Sequence, residues 1–299
     1  MKRSHDIVIA CDWSAEKGRK PKPQENRCWL AWGRADESPS KRSDPLYMPT
    51  REEAEACIAA ILRDHADARI FLGFDFAIGY PCSADNTPVL PVGRELCALL
   101  AELVTDDATG VNNRFEVGDE LNRRVRTITG LDHGPFWARP REYKLHDLPE
   151  RRPTGETGVP QFRAAEKSAQ AHTKTRPQSA FKLAGIGSVG SQSLVGLPAI
   201  HRLITDEQLA PRCRLWPFEQ DNDRDDQITI AEIYPTLYEE RSPTWWYKDA
   251  RQVVDTRNAI IDAINSGIDP AAAVDHPRAS TEGWIIGVPS DAADLGEPS

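Results

Sequence analysis

The sequence predicts an α/β fold: a mixed sheet flanked by helices and interrupted by a large, mainly helical insertion. Three observations predict it. Two continuous apolar runs, residues 7–12 and 70–75, each end in a carboxylate and have the composition of strands buried on both faces. Between them lie two shorter strand patterns and one helical pattern, so the first 81 residues read β-β-β-α-β. A further β-rich run, 228–234, returns late in the chain and also carries a carboxylate, Glu232.

Taken in order, residues 7–12 form the first strand and the Lys- and Pro-rich stretch 17–26 a loop. Residues 28–32 read as the hairpin partner of the first strand, and 46–48 as a short third strand after a polar loop. Thr50 is a good N-cap with Glu53 three residues on, and Ala54, Cys57, Ile58, Ile61 and Leu62 give a helical stripe. Residues 70–75 are the fourth strand. Helices are expected over 92–107, 113–125 and 191–204, with little periodicity from 130 to 182. Strands follow at 215–216 and 228–234. An amphipathic helix spans 249–265, closed by Gly267, and a last short strand spans 282–288. The final ten residues are expected to fray. The expected domains are a discontinuous core, 1–84 with 211–299, and an insertion, 85–210.

Composition narrows the function. The chain has 299 residues and a net charge of −9, which argues against coating nucleic acid through bulk charge but leaves room for a local basic groove. Six cysteines occur singly, which disfavours a zinc knuckle or a disulfide framework. Seven scattered histidines show no zinc-hydrolase spacing. No apolar run approaches the ~18–20 residues of a membrane span, and the first residues lead straight into a strand, so a cytoplasmic location and no membrane partner are expected.

Chemistry points to carboxylates: Asp12, Asp75, Glu232, and either Asp249 or Asp255 on the last long helix. A carboxylate at the end of an apolar strand is costly to bury unless something neutralises it. Gathered together, such groups repel one another, and two Mg²⁺ or Mn²⁺ ions satisfy that arrangement while activating water for phosphodiester cleavage. The bland alternative is four ordinary turn or salt-bridge residues.

The strand order with Asp12 on strand one and Asp75 on strand four resembles the ribonuclease H-like fold. More narrowly, residues 8–15, 73–81, 231–235 and 282–285 resemble a bacterial family of predicted ribonuclease H-like nucleases of unknown role. Close relatives also share Asn112-Asn113-Arg114-Phe115, Gly134-Pro135-Phe136-Trp137, residues 187–192, residues 216–219 and Lys248-Asp249-Ala250. Some relatives carry a label for molybdopterin guanine dinucleotide synthesis, which no residue here supports. The resemblance covers nearly the whole chain and implies metal-dependent hydrolysis of nucleic acid. Asp12 would bridge two cations, Asp75 and Glu232 would hold one each, and Asp249 (with Asp255 as the alternative) would complete the shell. Lys248 would orient a phosphate.

Three further motifs compete. Residues 185–190 fit G-x-G-x-x-G without the strand that a dinucleotide site requires; there Lys182 and Ser188 would cradle a phosphate, or the segment is a structural turn. Residues 221–232 mimic a calcium loop but place Asp226 where glycine makes the sharp turn, so an acidic turn is the plainer reading. Residues 139–182 carry ten Lys or Arg against five Asp or Glu, either a nucleic-acid groove built on Arg139, Arg141 and their neighbours or a solvated loop. Trp245, Trp246 and Tyr247 suit base stacking or packing. Two other functions stay open: a nucleotide-binding or phosphoryl-transfer protein on the same core, and a non-catalytic adaptor. Protein partners and oligomeric state are not legible.

Overall fold

The computed structural model describes residues 3–185, 187–219, 227–238 and 241–290. Residues 221–226 of the calcium-like loop, Ile186 of the glycine motif and the last nine residues lie outside the described residues.

Among the described residues six strands form one mixed sheet: β1 (Ile7–Asp12), β2 (Cys28–Arg34), β3 (Leu46–Met48), β4 (Ile70–Phe74), β5 (Cys213–Leu215) and β6 (Ile228–Glu232). Their spatial order is β3-β2-β1-β4-β6-β5. The β3-β2-β1 side is antiparallel, and β1, β4, β6 and β5 run parallel. The helices among the described residues are α1 (Arg51–Asp64), α2 (Arg94–Leu103), α3 (Arg114–Thr129), α4 (Ala164–His172), α5 (Gly190–Thr205), α6 (Lys248–Asn265) and α7 (Ala279–Glu282). None is long and apolar enough to cross a membrane.

Both faces of the sheet are covered, which explains why its central strands are apolar throughout. Successive strand residues point to opposite faces. Ile7, Ile9 and Cys11 join Leu72, Phe74 and Ile230 in a core with α1, α2, α3 and α5. Val8 and Ala10 join Phe71 and Ala231 in a second core with α6 and the small faces of α4 and α7. Leu121, Phe136, Phe181 and Leu194, all within the expected insertion, pack in the first of these cores rather than in one of their own.

The local signals act as expected at α1, where the Thr50 side chain accepts the Glu53 N–H. Several elements depart from expectation: α7 is not among the expected helices, and β5 covers Cys213–Leu215 rather than 215–216. Helix α4 lies in the stretch without periodicity; it is a short alanine-rich turn set by the Arg163 and Glu166 contacts at its start. Residues 282–288 make no strand: Gly283 and Gly287 take left-handed backbone at φ +80° and +82°, so the buried Trp284, Ile285 and Ile286 form only a single bridge, Ile285 to Glu232.

His5 enters β1 buried against Phe71, with Nε2 3.1 Å from Thr229 Oγ1. Burial, with Arg214 and Arg69 helping and Asp269 opposing, lowers its pKa to about 4. At pH 7 the ring is neutral in both the folded and unfolded states. Below about 6.5 the unfolded chain takes up a proton that the folded chain refuses, so stability is lost as pH falls toward 4, by up to about 3 kcal/mol. Urea denaturation at pH 7 and 4.5 is expected to show this loss in the parent and a smaller one in His5→Gln.

Candidate active site

The parallel register brings the C-terminal ends of β1, β4 and β6 together, with Cys11 beside Phe74 and Phe74 beside Glu232. Asp12 ends β1. The Asp75 N–H donates to the Cys11 carbonyl at 2.9 Å, so Asp75 extends the ladder one residue beyond β4, alongside Asp12. Asp249 arrives from the first turn of α6, where its Oδ2 accepts the Asn26 N–H at 2.6 Å and ties that helix to the loop after β1.

These three carboxylates line one cleft of about 750 Å³. Burial first, then Asp75 and Asp249, push the Asp12 carboxyl well above its ordinary range, with Lys248 opposing. Burial, Glu232 and Asp249 push Asp75 up to about 7. Asp249 is also raised, by burial and then by Glu25, against the Asn26 N–H and Lys248. Among the described residues no three Asp, Glu, His or Cys side chains stand together as a ready ligand set for a metal ion. The cleft therefore presents a repelling set of hard oxygen donors rather than a closed coordination sphere.

The other walls suit an anion. Arg114 opens α3 and lines the cleft, its Nε donating to Ser191 Oγ at 2.9 Å and its Nη1 to Asn112 Oδ1 at 2.9 Å. Lys17 also lines it and donates to the Tyr143 hydroxyl at 2.7 Å. The glycine motif forms the wall before α5. Gly185 and Gly187 hold φ +90° and +70°, and a Cβ on Gly190 would sit 2.4 Å from the Ala180 carbonyl oxygen, so the three glycines serve backbone shape and close packing. Ser188 of that wall lines the cleft, and Gln192 Nε2 donates to the Trp13 carbonyl at 2.6 Å, fixing the first turn of α5 against the residue that follows Asp12.

Several expected site residues lie elsewhere. Glu232 does not line the cleft. It ends β6 in register with Phe74, and although its charge is the first to act on Asp75 after burial, its carboxylate is taken up by another partner. Its oxygens accept Arg163 Nη1 at 2.8 Å, Arg163 Nη2 at 2.6 Å and the Ile78 N–H at 3.2 Å. Burial raises its pKa and Arg163 opposes that rise. The rest of the Arg163 fork goes to Glu166 and to the Glu282 carbonyl, so every guanidinium N–H has an acceptor. Asp255 accepts from the Arg241 and Ser242 N–H groups and the Ser242 hydroxyl, pinning that segment to α6 outside the cleft.

The basic stretch largely serves the protein itself. Arg139 donates to the Tyr143 carbonyl and pairs with Glu150; Arg141 is exposed and reaches the same Glu150; Lys182 lies over the Trp137 ring. None of the three lines the cleft. Lys248 is an exposed first residue of α6, felt electrostatically by all three cleft aspartates. Arg114, Lys17 and Asn26 were not singled out from the sequence. The one available signal was the Asn112-Asn113-Arg114-Phe115 motif.

Comparison with protein-family models, with curated proteins and with solved structures finds no match to this chain.

Proposed function

We propose that this protein is a divalent-cation-dependent phosphodiester hydrolase, a nuclease, working in the cleft between the ends of β1 and β4 and the start of α6. The observation that carries this reading is the meeting of Asp12, Asp75 and Asp249 with Arg114, Lys17 and the N-terminus of α5 in one cleft. Oxygen donors that repel one another favour a hard cation, and a guanidinium beside helix N–H groups favours a phosphate. Supporting it too, the strand order β3-β2-β1-β4 and its change from antiparallel to parallel at β1 agree with the ribonuclease H-like resemblance.

The donor set fits Mg²⁺ or Mn²⁺ in kind: three carboxylates whose raised pKa values fall once a cation screens them. Asp12, Asp75 and Asp249 would hold the ion, which would supply Lewis-acid activation of the phosphoryl group and of the attacking water. Arg114 and Lys17 hold the substrate phosphate, and the Asn26 N–H keeps Asp249 aimed. The test is calorimetric titration with Mn²⁺ followed by a cleavage assay on labelled oligonucleotides. Binding together with Mn²⁺-dependent cleavage is expected, and no binding of Mn²⁺ sinks the reading. A nucleotide-binding or phosphoryl-transfer protein is the second reading, favoured by the glycine-rich wall before α5. Tight ATP·Mg²⁺ binding with no oligonucleotide cleavage would select it.

A further inference from the structure

We propose that the surface beside Asp12 is a stacking platform for single-stranded nucleic acid, on which Tyr247 and Trp245 take unpaired bases. This rests on the hydrolase reading and names its substrate class.

Asp12 faces Trp29 across the β1–β2 ladder. The Trp29 ring lies 5.1 Å from Tyr47 and 5.7 Å from Tyr247, so an aromatic row runs from the cross-strand neighbour of one cleft carboxylate to the residue two before another, Asp249. The row reaches solvent at Tyr247, and Trp245 stands two residues before it in the chain. Tyr247 is 43% exposed and Trp245 80%, the most exposed large hydrophobic side chain among the described residues. Trp29 itself is buried, so the exposed part of this group is Tyr247 with Trp245, whose ring packs edge-on against Trp246. Two exposed aromatics two residues apart beside a cleft acid mark a candidate contact surface.

The charge beside the row selects the occupant. Residues 17–22, between Glu16 and Glu25, hold Lys17, Arg19, Lys20 and Lys22, of which Arg19 pairs with Glu53, in a chain of net charge −9. The Tyr47 hydroxyl donates to the Lys20 carbonyl at 2.8 Å, which anchors that basic loop to the aromatic row. Aromatic faces beside a basic track are the arrangement that binds single strands, because each unpaired base offers a face to stack while the cations follow the phosphates. A duplex hides those faces within its own stack. In the basic stretch of the insertion, by contrast, Arg139 and Arg163 are bound internally.

The test is a tryptophan-fluorescence titration of the full chain in EDTA with short oligothymidylate, oligouridylate and a DNA duplex. Single strands are expected to quench and to bind more tightly than the duplex. Trp245→Ala and Tyr247→Ala should each weaken the single-strand complex about tenfold. Because Trp245 is so exposed, its loss is not expected to disturb folding. Equal or tighter duplex binding overturns the proposal, as does unchanged affinity in both variants. Self-association of the chain that Trp245→Ala abolishes assigns the surface to a second copy and also overturns it. Single-strand binding without any cation-dependent cleavage removes the hydrolase reading and leaves the platform standing. Cleavage with an unaltered KM in both variants does the reverse.

Discussion

Asp12→Asn is expected to abolish Mn²⁺-dependent cleavage, by roughly three orders of magnitude, because a cation contributes several kcal/mol to a phosphoryl transition state. The same variant is expected to be more stable than its parent when both are free of metal. The Asp12 pKa is raised on folding, chiefly by burial and then by Asp75 and Asp249. For a carboxyl shifted upward, the folded state holds the proton where the unfolded chain has lost it. The charge therefore costs stability increasingly as pH rises above about 4, the ordinary aspartate value. Asp12→Asn removes that cost, so its advantage in Tm is expected to be clear at pH 8 and small at pH 4. Mn²⁺ should raise the Tm of the parent and leave that of the variant in place. A variant that cuts like its parent, or that Mn²⁺ stabilises equally, rejects Asp12 as a ligand.

Arg163→Met is expected to cost about 3–5 kcal/mol of stability at pH 8, the usual penalty for stranding a buried charge. The fork is fully buried and holds Glu166 and Glu232 together from α4 and β6. Methionine fills similar space but leaves two buried carboxylates facing each other without their cation. Glu232, already raised by burial and held down only by Arg163, should then protonate more readily, so the deficit is expected to shrink toward pH 5. Arg163→Lys should fall between the two, since one ammonium cannot reproduce a five-donor fork. The change also releases Glu232, whose carboxylate holds the Ile78 N–H three residues after Asp75. A weaker Mn²⁺ affinity in Arg163→Lys is therefore the expected accompanying result. Urea denaturation at two pH values and Mn²⁺ calorimetry read these effects separately. A loss below about 1 kcal/mol at pH 8 would reject the network as a support of the fold.

The contrast between these two residues shows how far the sequence could be read. Asp12 and Asp75 were legible because an apolar run ending in a carboxylate describes a buried strand and an acid at its tip in the same few residues. Glu232 satisfied the same pattern and yet does not line the cleft, because its carboxylate is gripped by Arg163, a partner 69 residues away in sequence. Which acid finds a cation and which stays in the cleft depends on a contact between segments far apart in the chain. Arg163 falls within the basic stretch 139–182, where composition reads the same for a solvated cation and for one buried among glutamates. The α4 helix beside it carries too short a pattern to be seen before its partners are known.

The sequence by itself determined the α/β class, the β-β-β-α-β opening and two acids at strand ends. These follow from local patterns of burial and capping, which each segment carries without reference to the rest. Only the tertiary structure decided that Asp249 rather than Glu232 shares the cleft with Asp12 and Asp75, that Arg114 and Lys17 face them there, and that the insertion packs into the core of the sheet. Those outcomes depend on which distant surfaces meet, and the free energy of such meetings is spread over contacts that no single segment encodes.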